Sequence, residues 1–120
     1  MTYERATGII DTTDKIERFS MELPNGYVMT TTFMRDFDIA DMFGENGIKD
    51  TFRRAFKEYK NDIIYMAELY VALNWHIWKH YEQKNNDKAK LYDELWRKVG
   101  NYVDEHFEGE DLKTFYHITD

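Results

Sequence analysis

The sequence predicts an α+β protein, in which an N-terminal β-hairpin packs on a bundle of about four helices. A turn signal at Pro24-Asn25-Gly26 lies between two runs of residues that favour extended structure. After the hairpin, apolar residues recur at helical spacing. The hairpin is expected over about residues 14–34 and the helices over residues 38–119. A chain of 120 residues suits a single domain, here 1–120.

The register of the predicted hairpin depends on the length of its loop. A two-residue loop would place Leu23 on the same face as Val28, whereas a three-residue loop would place Leu23 with Tyr27. The three-residue loop gathers the large apolar side chains on one face and puts Gly26 in a left-handed conformation, so we prefer it. Because a hairpin alone is marginally stable, residues 6–11 (ATGIID) are a candidate third strand.

Five segments have the features of helices. Asp36 or Asp38 is the expected N-cap of a short first helix that stops at Gly44. Asp62 is expected to cap the most apolar helix, and Gly109 is expected to end the helix before the last one. The expected helices cover residues 36–44, 48–59, 63–84, 91–107 and 110–118.

Composition favours a cytoplasmic protein that does not enter a membrane. The chain has no cysteine, which rules out thiolate ligands and nucleophiles and fits a reducing compartment. It begins with no signal-peptide pattern. The longest apolar stretch, residues 63–78, is too short and too polar to span a bilayer. A net charge of −7 disfavours nucleic acid as a partner.

Motifs for enzymatic chemistry are lacking. The chain contains no G-x-S-x-G, no phosphate-binding glycine loop and no dinucleotide-binding glycine pattern. Its one serine, Ser20, falls on the predicted polar face of a strand. A non-enzymatic protein is therefore more expected than an enzyme, and no cofactor is expected.

The stretch NWHIWKHY (74–81) contains a histidine pair, His76 and His80. Histidines four apart on a helix lie on one face and can share a metal ion. The zinc-hydrolase pattern H-E-x-x-H also needs a glutamate after the first histidine, where this chain has Ile77. A third ligand would be needed, and the spacing arises by chance in about one such sequence in ten. The pair is a candidate metal site, and the simpler interpretation is hydrogen bonding along one helix edge.

A basic row follows one edge of the predicted second helix. Within IKDTFRRAFKEYK, Lys49, Arg53, Lys57 and Lys60 fall within about 80° of one another on a helical wheel. Such a row can cover a core edge with its methylene stems. It can also dock an acidic partner or a phosphate backbone. The basic row is therefore a candidate partner-binding surface.

An acidic run lies near the C-terminus, in the stretch DEHFEGED. It lacks the calcium-loop pattern D-x-[DN]-x-[DN]-G, and its last two carboxylates suit the first turn of the final helix. Solvation and helix capping are the simple interpretation, and contact with a basic partner is the functional one. The acidic run comprises Asp104, Glu105, Glu108, Glu110 and Asp111.

Five segments of the chain resemble a family of small proteins encoded by phages and mobile elements of gut bacteria. The segments are TTTFMRDFDIADMFG, IKDTFRRAFKEYK, LNWHIWKHY, LYDELW and FYHITD, and the likeness covers roughly residues 30–120. The resemblance implies an accessory protein of a mobile element in a bacterial cytoplasm. It implies no activity, cofactor or catalytic residue.

These observations favour a non-enzymatic protein-binding or regulatory accessory protein, for example an inhibitor of a host system. The basic row and the acidic run are its expected contact surfaces, and exposed rings on the helices also favour self-association. One alternative is a metal-binding protein or metal-dependent hydrolase that uses His76 and His80. Another is a nucleic-acid accessory protein that uses the basic stripe over residues 49–60.

Overall fold

The computed structural model describes residues 22–120, and this part of the chain contains five helices and no strand. The predicted α+β class and the predicted β-hairpin are therefore wrong, and the described residues form an all-helical fold. Residues 6–11, the candidate third strand, and residues 14–21 of the hairpin lie outside the described residues. The helices are α1 (Phe33–Asp41), α2 (Gly44–Tyr59), α3 (Ile63–Glu82), α4 (Asn86–His106) and α5 (Glu110–Thr119).

The chain does reverse direction at the predicted turn. The N–H of Gly26 donates to the carbonyl of Leu23 at 2.8 Å, and the φ of Gly26 is 91°. The N–H of Leu23 donates to the carbonyl of Tyr27, also at 2.8 Å. A single isolated bridge between Glu22 and Val28 follows, so the turn connects two segments that form no ladder within residues 22–120.

A buried glutamate explains why the predicted second strand is absent. The backbone N–H groups of Thr30 and Thr31 donate to the Glu68 carboxylate, with shortest distances of 2.9 and 2.8 Å. Glu68 belongs to α3 and is fully buried. Because these donors bond to a side chain, they are not available to a neighbouring strand. The β-favouring threonines are thus held by a tertiary contact, and α1 begins directly after them at Phe33.

The first helix differs from the prediction at both ends. It starts before Asp36 and Asp38, so neither residue is its N-cap, and Asp36 lies within the first turn. It ends at Asp41. Gly44 is the first residue of α2 rather than a stop, and its φ of 74° allows the sharp connection between the two helices. Because α1 begins at Phe33, Asp38 and Asp41 lie inside the helix and can face other helices.

α3 is the central helix of the described fold, because it packs against α1, α4 and α5. Its N-cap is Asp62, as predicted, and the Asp62 carboxylate accepts the N–H of Ile64 at 3.0 Å. The buried polar residues of the described fold all belong to α3: Glu68, His76 and His80. A buried polar group needs a partner, so these three mark the places where α3 binds its neighbours.

α2 is the least buried of the long helices. It packs mainly on α1, and its buried side chains are Ile48 and Phe52. The rest of its apolar stripe is only half-buried, including Phe56. α2 therefore stands partly away from α4 and leaves a groove between the two helices.

Candidate functional site

The groove between α2 and α4 has a volume of about 1040 Å³, and the basic row lies along its α2 wall. All four members of the row are exposed. Since helical residues three or four positions apart share a face, the local structure of α2 is enough to place them in one line. The row comprises Lys49, Arg53, Lys57 and Lys60.

The α4 wall of the groove has a different charge pattern. Glu94, Lys98, Asn101 and Glu105 line this wall, and their spacing of four, three and four residues again marks one face of a helix. Two carboxylates, one ammonium and one amide thus stand opposite a wall of four cations and one carboxylate, Asp50. The groove has one strongly basic side and one mixed side.

Apolar and aromatic side chains form the floor of the groove. The rings of Phe52 and Phe56 stack with centroids 5.5 Å apart, and Phe56 meets Tyr102 of α4 edge to face at 4.9 Å. Leu91 and Leu95 complete the floor from α4. An apolar centre between charged margins is the usual composition of a protein-binding surface.

Most of the cations in the groove have no ion-pair partner within residues 22–120. Lys49, Lys57 and Lys60 make no salt bridge there, whereas Arg53 pairs with Asp50. Lys98 on the opposite wall is likewise without an ion pair in this range. The groove side chains comprise five cations and three carboxylates, a local charge of +2 in a chain of net charge −7.

The structure separates the acidic run into two groups. Glu105 lies on the α4 wall of the groove, so part of the run shares a surface with the basic row, which the sequence did not predict. Asp104 accepts a hydrogen bond from Tyr116 of α5 at 3.4 Å. Glu108, Glu110 and Asp111 are exposed at the junction of α4 and α5, outside the groove.

The histidine pair lies at the contact between α3 and α1. His76 is fully buried and His80 is 3% exposed. Nε2 of His76 lies 3.0 Å from Asp38 Oδ1, and Nε2 of His80 lies 3.0 Å from Asp41 Oδ2. Each histidine therefore binds its own carboxylate on α1. The sequence contained a signal for this pairing, because D-x-x-D on a short helix can face H-x-x-x-H on a longer one.

Lys79 connects the two carboxylates. Its Nζ lies 3.1 Å from Asp38 Oδ1 and 3.1 Å from Asp41 Oδ2. Tyr92 of α4 donates to Asp41 Oδ1, and Lys88 of α4 donates to the Asp41 backbone carbonyl at 3.0 Å. We call the set Asp38, Asp41, His76, Lys79, His80 and Tyr92 the polar cluster. It joins α1 to both α3 and α4.

Electrostatics in the polar cluster favour charged carboxylates beside the Lys79 ammonium and a neutral Tyr92 hydroxyl. Burial acts to raise the pKa of Asp41, but hydrogen bonds from Tyr92 and Lys79 outweigh burial and hold that pKa below its usual value. The pKa of Asp38 is lowered in the same way by His76 and Lys79. Burial raises the pKa of Tyr92, and the Asp41 carboxylate adds to this effect. Burial lowers the pKa of His80, although Asp41 acts in the opposite sense.

His76 and His80 are not placed to bind the same metal ion. Within residues 22–120, the one group placed to hold a metal ion is Asp38, Asp41 and His76, whose donor atoms lie within 4.8 Å of one another. Metal-ligating histidines usually donate their second ring N–H to a neighbouring acceptor. His76 does so as well, because its Nδ1 lies 3.1 Å from the Ala72 carbonyl and must donate to it. The Lys79 ammonium, however, already takes the cation position between the two carboxylates.

Sequence reasoning missed the role of Glu68. Its carboxylate accepts hydrogen bonds from the Tyr27 hydroxyl at 2.6 Å and the Thr30 hydroxyl at 2.8 Å, besides the two backbone N–H groups. These donors replace the water that a buried charge loses. The one available signal was a glutamate inside the most apolar stretch of the chain.

Comparison of the chain with models of protein families, with curated proteins and with solved structures finds no match. The resemblance to proteins of phages and mobile elements therefore stays an expectation. Among the helices of residues 22–120, none has the length and apolar character required to cross a membrane.

Proposed function

We propose that this protein is a non-enzymatic binding module that holds a protein partner in the groove between α2 and α4. The observation that carries the proposal is the combination of an apolar floor with cations that lack ion pairs within residues 22–120. Within residues 22–120 such cations remain available for a partner, and the half-buried rings of Phe56 and Tyr102 offer it apolar contact.

The charges on the α4 wall favour a protein over a nucleic acid as the partner. Glu94 and Glu105 stand on that wall, where they would repel a phosphate backbone lying along the groove. A protein segment can match both walls, because it can present acidic and basic side chains side by side. The net charge of −7 acts in the same direction.

The biological setting belongs to the proposal as well. The resemblance described above supports a regulatory accessory protein of a phage or mobile element, for example one that inhibits a host system. In this proposal the module works in the cytoplasm, which the cysteine-free sequence favours.

A peptide-display selection tests the proposed groove. The full chain is immobilised and presented with a library of random 16-residue peptides, and the enriched peptides are measured by fluorescence anisotropy. We expect micromolar peptides whose affinity falls at least tenfold in the double variant Lys57→Glu/Lys60→Glu. The matched control is Lys84→Glu/Lys90→Glu, which makes the same charge change at exposed positions outside the groove and should change affinity less than twofold.

Two results would overturn the proposal. One is a selection that enriches no peptide above a blocked surface. The other is a set of peptides that bind the wild type and the Lys57→Glu/Lys60→Glu variant equally well. Circular dichroism of both double variants establishes that a loss of binding does not come from unfolding.

A further inference from the structure

We infer that the occupant of the groove is a single amphipathic α-helix of the partner, with its acidic residues gathered along one edge. This inference rests on the proposed function and specifies the ligand of the same groove. Its support comes from the dimensions of the groove, the nature of its walls and the unequal charges on them.

The length of the groove fits one helix. Its α2 wall extends from Asn46 to Lys60 and its α4 wall from Leu91 to Glu105. Each wall therefore covers 14 residue steps, or about 21 Å at 1.5 Å per residue. A helical segment of about 14 residues spans the same length.

The walls do not suit an extended peptide. Both are α-helices, whose backbone N–H and C=O groups bond within the helix. A peptide strand gains affinity by adding to an exposed sheet edge, and the groove offers none. A helical ligand carries its own backbone hydrogen bonds and needs only side-chain contacts, so the groove is suited to the helix-in-groove mode of recognition.

The floor specifies the apolar face of the ligand. Phe52 and Phe56 from α2 lie beside Leu91, Leu95 and Tyr102 from α4. This strip runs along the groove between the charged walls. A helix with apolar residues at positions i, i+4 and i+7 would bury them against this strip.

The two walls specify the edges of the ligand. The α2 wall carries the basic row, whereas the α4 wall carries two carboxylates with Lys98 and Asn101. A helix with carboxylates on one edge and basic or neutral residues on the other matches both walls at once. A helix with acidic residues on both edges would place carboxylates against Glu94 and Glu105.

Two peptides of identical composition separate these possibilities. Both have 18 residues and the same apolar face of leucines, four glutamates and four lysines. In the segregated peptide all glutamates lie on one edge and all lysines on the other, while in the mixed peptide the two alternate on both edges. Because a helix can enter the groove in either chain direction, the segregated peptide can always turn its acidic edge to α2. We expect it to bind the full chain at least tenfold more tightly than the mixed peptide.

Further measurements make the test specific to the groove. The preference should disappear in Lys57→Glu/Lys60→Glu and persist in Lys84→Glu/Lys90→Glu. A version of the segregated peptide with a central proline, which breaks helices, should bind at least tenfold more weakly. Sedimentation of the chain alone establishes whether it forms a dimer.

Different results would overturn the inference and the proposed function. Equal affinities of the segregated and mixed peptides, or equal affinities with and without the proline, would overturn the inference. Neither result would affect the proposed function if binding still depends on Lys57 and Lys60. Failure of both peptides to bind also overturns the inference, while the display selection decides the proposed function separately. A dimer that loses affinity for the segregated peptide would instead identify a second copy of this chain as the occupant.

Discussion

Glu68 is the residue on which the N-terminal part of the described fold depends most directly. It is fully buried, and no cation pairs with it among residues 22–120. Its charge is balanced by hydrogen bonds from Tyr27, Thr30 and Thr31. A buried ion without these donors would be strongly destabilising. The same bonds fix the segment that leads into α1.

We expect Glu68→Gln to lower the free energy of unfolding by about 2–3 kcal/mol. Glutamine keeps the size of the side chain but replaces one accepting oxygen with an NH₂ group, which would point at donors. Urea denaturation followed by circular dichroism measures the effect. The matched control is Glu82→Gln, an exposed position on the same helix, where a change within about 0.5 kcal/mol is expected. Equal effects at both positions would contradict the assigned role.

Lys79 is the residue that decides whether α1 and α3 enclose a metal site. Its ammonium lies between Asp38 and Asp41, beside a histidine whose Nδ1 is already bonded to the Ala72 carbonyl. Removing the ammonium would leave two carboxylates and one imidazole nitrogen around a vacant cation position, and these are suitable ligands for zinc.

We therefore expect Lys79→Ala to lose about 1–3 kcal/mol of stability and to regain part of it in zinc. The loss is smaller than the 3–5 kcal/mol typical of a fully buried pair, because the Lys79 side chain is 24% exposed. Thermal unfolding with and without 1 mM zinc measures both effects. Lys90→Ala, an exposed control, should show neither. A wild type that binds zinc as tightly as the variant would reverse this assignment and support the metal-site alternative.

At the scale of elements, the polar cluster is the link that fixes α1 against α3 and α4. The bonds come from side chains on three helices, and those of Asp41 are the more shielded, because Asp38 is exposed and Asp41 is not. The α2 wall of the groove is connected to this arrangement through α1, since α2 packs mainly on α1. The position of the α2 wall therefore depends on how firmly α1 is held.

We expect this link to weaken as the pH falls below about 6.5. The pKa of His80 is lowered in the folded protein, so below the ordinary value of about 6.5 the unfolded chain takes up a proton that folded His80 resists. Stability therefore falls with pH in this range, by at most about 1.4 kcal/mol per pH unit. The lowered pKa values of Asp38 and Asp41 add a further loss below about pH 4.

The measurement is the free energy of unfolding at several pH values between 8 and 5, for the wild type and for His80→Gln. Glutamine can still donate to Asp41 but does not titrate. The difference between the two proteins isolates His80 from its ionisable neighbours Asp41, Lys79 and His76. Parallel curves for the two proteins would show that His80 does not contribute to the acid sensitivity.

At the scale of the whole molecule, charge is distributed unevenly. The chain has a net charge of −7, and yet the groove gathers five cations around an apolar floor. The acidic remainder repels polyanions at long range, while the groove attracts carboxylates at short range. This distribution favours a ligand with a limited number of negative charges.

We accordingly expect binding to nucleic acid to be very weak. Fluorescein-labelled 20-nucleotide DNA, single-stranded and duplex, should bind more weakly than about 100 μM even at 25 mM salt, where counterion release is most favourable. Fluorescence anisotropy provides the measurement. Micromolar binding that weakens steeply with salt and disappears in Lys57→Glu/Lys60→Glu would favour the nucleic-acid alternative over the proposed function.

The helical part of the fold was largely predictable because its signals are local. Apolar periodicity predicted the ends of α2, α3, α4 and α5 to within five residues, with the largest error at the start of α4, and Asp62 was recognised as the N-cap of α3. The same periodicity placed the basic row on one line, since the spacing of helical residues alone determines which side chains share a face.

The tertiary structure alone decided the rest. Thr30 and Thr31 favour extended structure in isolation, but Glu68, which lies 38 and 37 residues away from them respectively, accepts hydrogen bonds from their backbone N–H groups. The docking of the helices decides that Asp38 and Asp41 pair with α3. It also decides that Glu105 faces the basic row across a groove. Such contacts join residues distant in the chain, so no local pattern contains them. By itself, the sequence determined which helices form and which face of α2 is basic, whereas the packing of α1, α2 and α4 around α3 determined that this face borders a groove.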